Sequence, residues 1–298
     1  MIHSTRHFYN ARKGTAMKKR TLILGAGAAA AAAYCLWEEN ALTVERYAFE
    51  KGLPEPIRIV SLADLHGKSF GMRNRRLLKT VAALDPDLIV MPGDTVSSDC
   101  RNLFETAQTI GALCAVAPVY LVPGNHEQRS GRMHELLSLY LEAGAQVLCD
   151  ELRDTVIKGT PVHILGLAEK IGLRRADYLR AMLHTCQYPD NDAALLELAQ
   201  KDGLRIVLTH FPELFGCIGA RSYRRFDFDL LFAGHAHGGQ IRLPGVGGLF
   251  APGQGFLPRY TAGQYGDRPR MILSRGLGND GLVPRIHNRP EIACVTVL

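Results

Sequence analysis

Five short apolar runs, each ending in a polar turn, set the rhythm of this chain: Ile57–Ala63, Asp87–Met91, Val119–Val122, Arg205–Thr209 and Asp229–Ala233. Their apolar cores show little polar alternation, which suits strands buried on both faces of a sheet. The intervening segments change period. Met72–Leu84 places Leu77, Leu78, Val81 and Leu84 on one helical stripe, and Met133–Leu141 does likewise. Strand, loop, helix, strand predicts an α/β sheet, in which ligands gather at the carboxyl ends of the strands.

Each run is followed by residues that can bind metal. Asp64 and His66 follow the first, and Gly93-Asp94 the second. Gly124-Asn125-His126-Glu127 follows the third, His210 the fourth, and Gly234-His235-Ala236-His237 the fifth. All five stations should therefore meet on one rim. Gly93, Gly124 and Gly234 allow the tight turns that aim Asp94, Asn125 and His235. A lone histidine is more often a core or surface residue than a ligand, but the set supplies enough nitrogen and oxygen donors for two divalent ions. Asp94 can bridge a pair about 3.5–4 Å apart. Mixed His, Asp and Asn donors suit manganese first, then iron, zinc or cobalt, over calcium, and no cysteine stands ready for a structural zinc site. Two such ions acidify a shared water, giving a bridging hydroxide for in-line attack on phosphorus.

Charge and composition narrow the picture. The 298 residues are 47% hydrophobic and 21% charged, as in a globular protein. Six of the 35 basic residues lie in residues 1–20, which hold no acid, so the remainder has 29 basic against 29 acidic residues. A balanced body argues against a nucleic-acid track, and no nucleic-acid partner is expected. The seven cysteines form no C-x-x-C pair and read as free thiols packed like small hydrophobes. His163, His184 and His287 lie outside the stations and read as surface or packing residues. The clusters Arg73/Arg75/Arg76 and Arg221/Arg224/Arg225 read as solvated faces. Arg174-Arg175 and the stretch 245–266 are candidates to border the site.

The chain divides into a basic tail (1–20), an uncharged segment (21–37), a linker (38–56) and a catalytic domain (57–298). Segment 21–37 reads as a signal anchor at the short end of the spanning range, with a cleaved signal peptide as the alternative. Lys18-Lys19-Arg20 would stay cytoplasmic, which puts the domain on the external side of the inner membrane. A cytoplasmic face, or export after cleavage, stays open.

As a set, the D-x-H, G-D, G-N-H-E, H and G-H-x-H stations resemble the calcineurin-like metallophosphoesterase superfamily. The flanking Gly234–Pro244, Ser274–Gly278 and Pro290–Ile292 resemble its membrane-anchored bacterial phosphodiesterase subgroup, related to a UDP-2,3-diacylglucosamine pyrophosphatase branch. The resemblance implies a four-layer α-β-β-α sandwich of two mixed sheets. It also implies that Asp64, His66 and His237 hold one ion, that Asn125, His210 and His235 hold the other, and that Asp94 bridges them. His126 would bind no metal; it would steady the phosphate and protonate the leaving oxygen. Glu127 is assigned to orienting His126. The expected activity is hydrolysis of a phosphodiester or pyrophosphate, lipid-linked if the segment tethers the enzyme at a membrane. Two alternatives stand beside it: a UDP-2,3-diacylglucosamine pyrophosphatase of lipid A synthesis, and a non-catalytic membrane-tethered binding module.

Overall fold

The segment expected to be a linker, residues 38–56, instead holds the end of a helix and an entire strand. A computed structural model describes residues 3–168, 191–216, 222–279, 281 and 283–298, with side chains from residue 22 onward. Helix α1 (His3–Asn40) runs through most of the expected tail and the whole uncharged segment. Strand β1 (Thr43–Phe49) then pairs in parallel with the C-terminal strand, Thr43 opposite Glu291 and Phe49 opposite Val297. The domain therefore begins before Ile57. Glu45 and Arg46 hide this strand from an apolar pattern, because it sits half-buried at a sheet edge. Among the described residues, no helix is long and apolar enough to cross a membrane.

The remaining strands build two mixed six-stranded sheets. The first holds β1, β2 (Ile57–Ser61), β3 (Leu88–Pro92), β4 (Val119–Val122), β5 (Gln146–Val147) and the C-terminal β16 (Glu291–Val297), in the order β1-β16-β2-β3-β4-β5. The second holds β6 (Glu151–Ile157), β7 (Thr160–Leu167), β8 (Leu204–Thr209) and β9 (Leu230–Ala233), with β14 (Gly263–Tyr265) and β15 (Arg270–Leu273), in the order β14-β15-β9-β8-β7-β6. Two small hairpins lie between β9 and β14. One pairs β10 (Arg242–Leu243) with β11 (Gly247–Gly248), the other β12 (Phe250–Ala251) with β13 (Gly255–Phe256).

Three apolar clusters separate four layers. Between the sheets lie Ile57, Ile59, Leu88 and Val90 of the first and Ile164, Ile206, Leu230 and Phe232 of the second. Val60, Ile89 and Met91 turn outward onto α2 (Arg75–Ala83), α3 (Leu103–Cys114) and, two helices on, the segment Met133–Glu142. Beyond the second sheet, Leu165, Val207 and Leu231 meet Leu195 and Leu198 of the helix Asp192–Ala199. Alternate residues of each central strand thus face different clusters, and both clusters exclude water. That is why the runs are apolar throughout. Leu77 and Val81 of the predicted stripe are fully buried, and Leu84 nearly so.

Strands β2, β3 and β4 are mutually parallel, as are β8 and β9. Their carboxyl ends therefore open on one edge of the sandwich, where the five stations lie.

Candidate metal centre

The stations converge. Ligand-type atoms of Asp64, His66 and His237 lie within 4.8 Å of one another, as do those of Asp94, His210 and His235. A third such group, His66, Asp94 and His126, links the two. Asn125 opens the short helix α4 (Asn125–Arg129), its Oδ1 3.1 Å from His210 Nε2. The structure thus gathers every sequence-predicted site residue on one rim, with Asp94 at the centre. Arg174, Arg175 and His184 lie outside the described residues.

The backbone is bent hard to aim these side chains. Asp64, His66, Asp94, His235 and His237 all have left-handed φ, between 46° and 69°. A non-glycine residue there costs about 1–2 kcal/mol, and such outliers persist where the surroundings over-determine them, as at functional sites. The residues expected as ligands themselves supply much of the turning. Of the three glycines expected to do so, only Gly93 uses a left-handed φ, +84°. Gly124 and Gly234 serve close approach instead: a Cβ on Gly124 would lie 2.2 Å from Asp94 Oδ1, and one on Gly234 2.8 Å from Asp64 Oδ2.

Donor chemistry shows what the rim fits. His210 Nδ1 donates to the Pro92 carbonyl at 2.9 Å, so its Nε2 turns inward. There it faces Asp94 Oδ2 at 3.2 Å, Asn125 Oδ1 at 3.1 Å and His235 Nδ1 at 3.2 Å. Four atoms that can each offer a lone pair meet at such distances, a set that suits a cation, either a proton on His210 or a divalent ion. Burial opposes a charge on His210, yet the Asp94 and Asp64 carboxylates hold its pKa up to about 10. Burial together with the His210 charge pushes His235 well down, and burial together with His66 does the same to His237. Both rings thus stay neutral, the form that metal ligation needs. His66 and His237 bring their Nε2 atoms within 3.3 Å, and His237 Nδ1 is buried with no partner among the described residues. Burial would raise the carboxyl pKa of Asp94, but His210, His66 and His126 hold it well below the usual range.

The supporting residues differ from expectation. Glu127 does not orient His126. Its buried carboxylate accepts from the amides of Asp94 (3.1 Å), Gly124 (2.9 Å) and Thr95 (2.6 Å), and from Thr95 Oγ1 at 2.7 Å. It ties the Asp94 turn to the Gly124 turn. His126 is held by Ser98, whose amide donates to Nδ1 at 3.1 Å and whose Oγ lies 2.9 Å away. Asn288 is the other residue the sequence did not reveal. Its Nδ2 donates to the carbonyls of His237 (2.7 Å) and Gln240 (3.0 Å), and its amide donates to Glu38 at the end of α1. No local pattern marks Ser98 or Asn288, because each acts on a residue distant in sequence.

The residues outside the stations fall mostly as expected. His163 is buried between Asp154 and the Asp202 carbonyl, and His287 pairs with Tyr34. Cys35, Cys100, Cys114, Cys149 and Cys294 are free.

The family model for calcineurin-like phosphoesterases matches residues 57–239, a stretch that spans all five stations. Phosphodiesterase YaeI of Escherichia coli (strain K12) is 29% identical over 263 residues, covering 85% of this chain and 86% of that protein. An uncharacterized metallophosphoesterase of Aquifex aeolicus is 28% identical over 273 residues, covering 89% and 95%. The uncharacterized metallophosphoesterase YkuE of Bacillus subtilis is 28% identical over 254 residues, covering 80% and 78%.

Proposed function

The chain belongs to the calcineurin-like phosphoesterase family and is a metal-dependent phosphoester hydrolase; on that premise we propose that it cleaves a phosphodiester or pyrophosphate at a membrane, with manganese as its metal. One observation carries the chemistry: two groups of converging donors, one containing the buried carboxylate of Asp64 and the other that of Asp94, are linked through His66, Asp94 and His126. Asp64, His66 and His237 would hold one ion, Asn125, His210 and His235 the other, and Asp94 would be shared between them. Bound there, two divalent ions supply Lewis acidity toward the phosphoryl oxygens and acidify a water for in-line attack.

The chain's own residues do the rest. Ser98 grips His126 Nδ1, and His126 Nε2 lies 3.9 Å from Asp94 Oδ2, at the edge of the donor cluster. From there it hydrogen-bonds a phosphoryl oxygen and protonates the departing one. Glu127 and Gly124 hold Asp94 in register between the two donor groups. The name of the Escherichia coli relative favours a diester over a monoester. The uncharged segment 21–37, following Lys18-Lys19-Arg20, supports association with a membrane surface, since basic residues favour an anionic leaflet.

The test uses the full chain loaded with manganese, given an aryl phosphodiester, an aryl phosphomonoester and UDP-2,3-diacylglucosamine side by side. Diester turnover should exceed monoester turnover, and Asp94→Ala should lose both bound metal and activity. His126→Ala should keep its metal yet lose about 10²- to 10⁴-fold in kcat. Turnover confined to the monoester would sink the diester reading, and a preference for the nucleotide lipid would replace it with the pyrophosphatase.

A further inference from the structure

The turn that carries His237 also carries two hairpins, β10–β11 and β12–β13. Gly239 and Gly248 lie so close that a Cβ on either would strike the other's backbone, 2.4 Å from the Cα in one direction and 2.7 Å in the other. The Leu249 amide donates to the Gly239 and Ile241 carbonyls. Hairpins and metal turn are one packed unit.

Between positions 243 and 257 this unit leaves Leu243, Val246, Phe250, Phe256 and Leu257 in solvent, with Phe256 84% and Leu257 69% exposed. The rings of Phe250 and Phe256 meet edge-on at 5.4 Å at the open end of the second hairpin, away from its turn, giving that end a defined shape without burying it. Large apolar side chains grouped this way mark an interaction surface. The stretch itself carries charge of one sign. No acid occurs from Leu230 to Gly266, whereas Arg242 and Arg259 lie among the hairpins, and the Glu213 carboxylate that reaches the second hairpin accepts from Gln254. The end of α1 arrives at the same place. Tyr34 Oη lies 3.2 Å from His287 Nδ1, and His287 lines one groove with Arg242–Gly247. The exposed Leu36 and Trp37 follow on that helix.

We propose that the exposed apolar side chains of the two hairpins enter the headgroup layer of an anionic bilayer and so set the metal centre at the level of the lipid phosphates. Apolar side chains with arginines beside them, and with the neighbouring Glu213 carboxylate tied to Gln254, suit such a surface, since binding grows with apolar area and with attraction to anionic lipid. A protein partner is the poorer fit, because a stable interface takes about 20–30 residues a side and the hairpins offer five. The inference deepens the membrane part of the proposed function and rests on it. The substrate class becomes a phosphate ester carried by a lipid headgroup.

The test places the chain's single tryptophan among these side chains, as Trp37→Phe with Phe256→Trp in the full chain. The protein is mixed with phosphatidylcholine vesicles, with and without phosphatidylglycerol and with brominated acyl chains. The indole should shift to the blue and be quenched on the anionic vesicles. Phe256→Ser with Leu257→Ser should lower vesicle partitioning about tenfold or more, with hydrolysis of a water-soluble diester unchanged. Vesicle binding with an unquenched indole would mean that α1 alone holds the bilayer, which overturns the proposal and leaves the membrane reading standing. No binding by the parent chain overturns both. A dimer that the double serine variant dissolves would give this surface to a second copy of the chain, and the proposal would fall.

Discussion

At the scale of single residues, the centre is held by groups that never touch substrate. Glu127 is the clearest case. Three backbone amides and a hydroxyl end on its buried carboxylate. Glu127→Ala strands those donors away from water, and each unpaired buried donor costs about 1–3 kcal/mol. The variant should therefore lose at least about 3 kcal/mol of folding stability. Urea unfolding in the presence of a chelator measures this without any contribution from bound metal. A change within about 0.5 kcal/mol, the range of an ordinary surface substitution, would show that the carboxylate does not organise the two turns. The five left-handed ligand residues make the same point: without such a cross-tie, their conformations would relax.

Single elements are pinned at their ends by buried charge. Asp229 stands just before β9 and is fully buried. It accepts from Lys51 beyond β1 (2.7 Å), from the Arg205 amide of β8 (2.9 Å) and from Arg268 before β15 (3.0 Å). One carboxylate thus joins the edge strand of the first sheet to three strands of the second. Burial alone would raise its pKa, but these donors hold it below the ordinary aspartate value. An unfolded aspartate titrates near ~3.9. The stabilisation is therefore fully present above that value and is lost as pH falls through the lower folded value. Asp229→Asn should lose about 3 kcal/mol at neutral pH, since removing one partner of a buried pair leaves the others uncompensated. It should also flatten the acid limb of the stability profile, as followed by denaturant unfolding across acidic pH. An unchanged acid limb would count against this role. Strand β1 shows why elements can escape a sequence pattern: its hold on β16 comes from backbone pairing and from Arg275, which binds both Glu45 and Glu291.

At the scale of the whole molecule, the end of α1 is wired into the metal centre. Glu38 accepts from the Asn288 amide, and Asn288 in turn donates to the His237 carbonyl. Glu39 accepts from Asn279 and the Arg285 amide, and Lys68 binds the Glu39 carbonyl. Helix and catalytic rim therefore cannot separate without disturbing the turn that bears His237. Asn288→Ala should weaken one of the two metal sites about 10–100-fold, the usual effect of losing a group that orients a ligand, while the other site and the fold stay intact. Calorimetric titration of the chelator-stripped chain reads this directly, and two unchanged binding steps would refute it. Glu38→Ala should act in the same direction, though more weakly, because the Asn288 side chain remains.

The local order of residues determined the five strands that lead to the stations, two of the helices between them and the residues that gather on the rim, because a strand buried on both faces is apolar throughout and its polar turn follows directly. That order also foretold that the stations share a rim, since parallel strands end together. Tertiary structure alone decided which lone pairs meet, that Ser98 rather than Glu127 holds His126, and that Glu38 reaches Asn288 across 250 positions. Those contacts join residues with no common periodicity, so no pattern along the chain encodes them; they exist only once two sheets and a helix end have closed around the site.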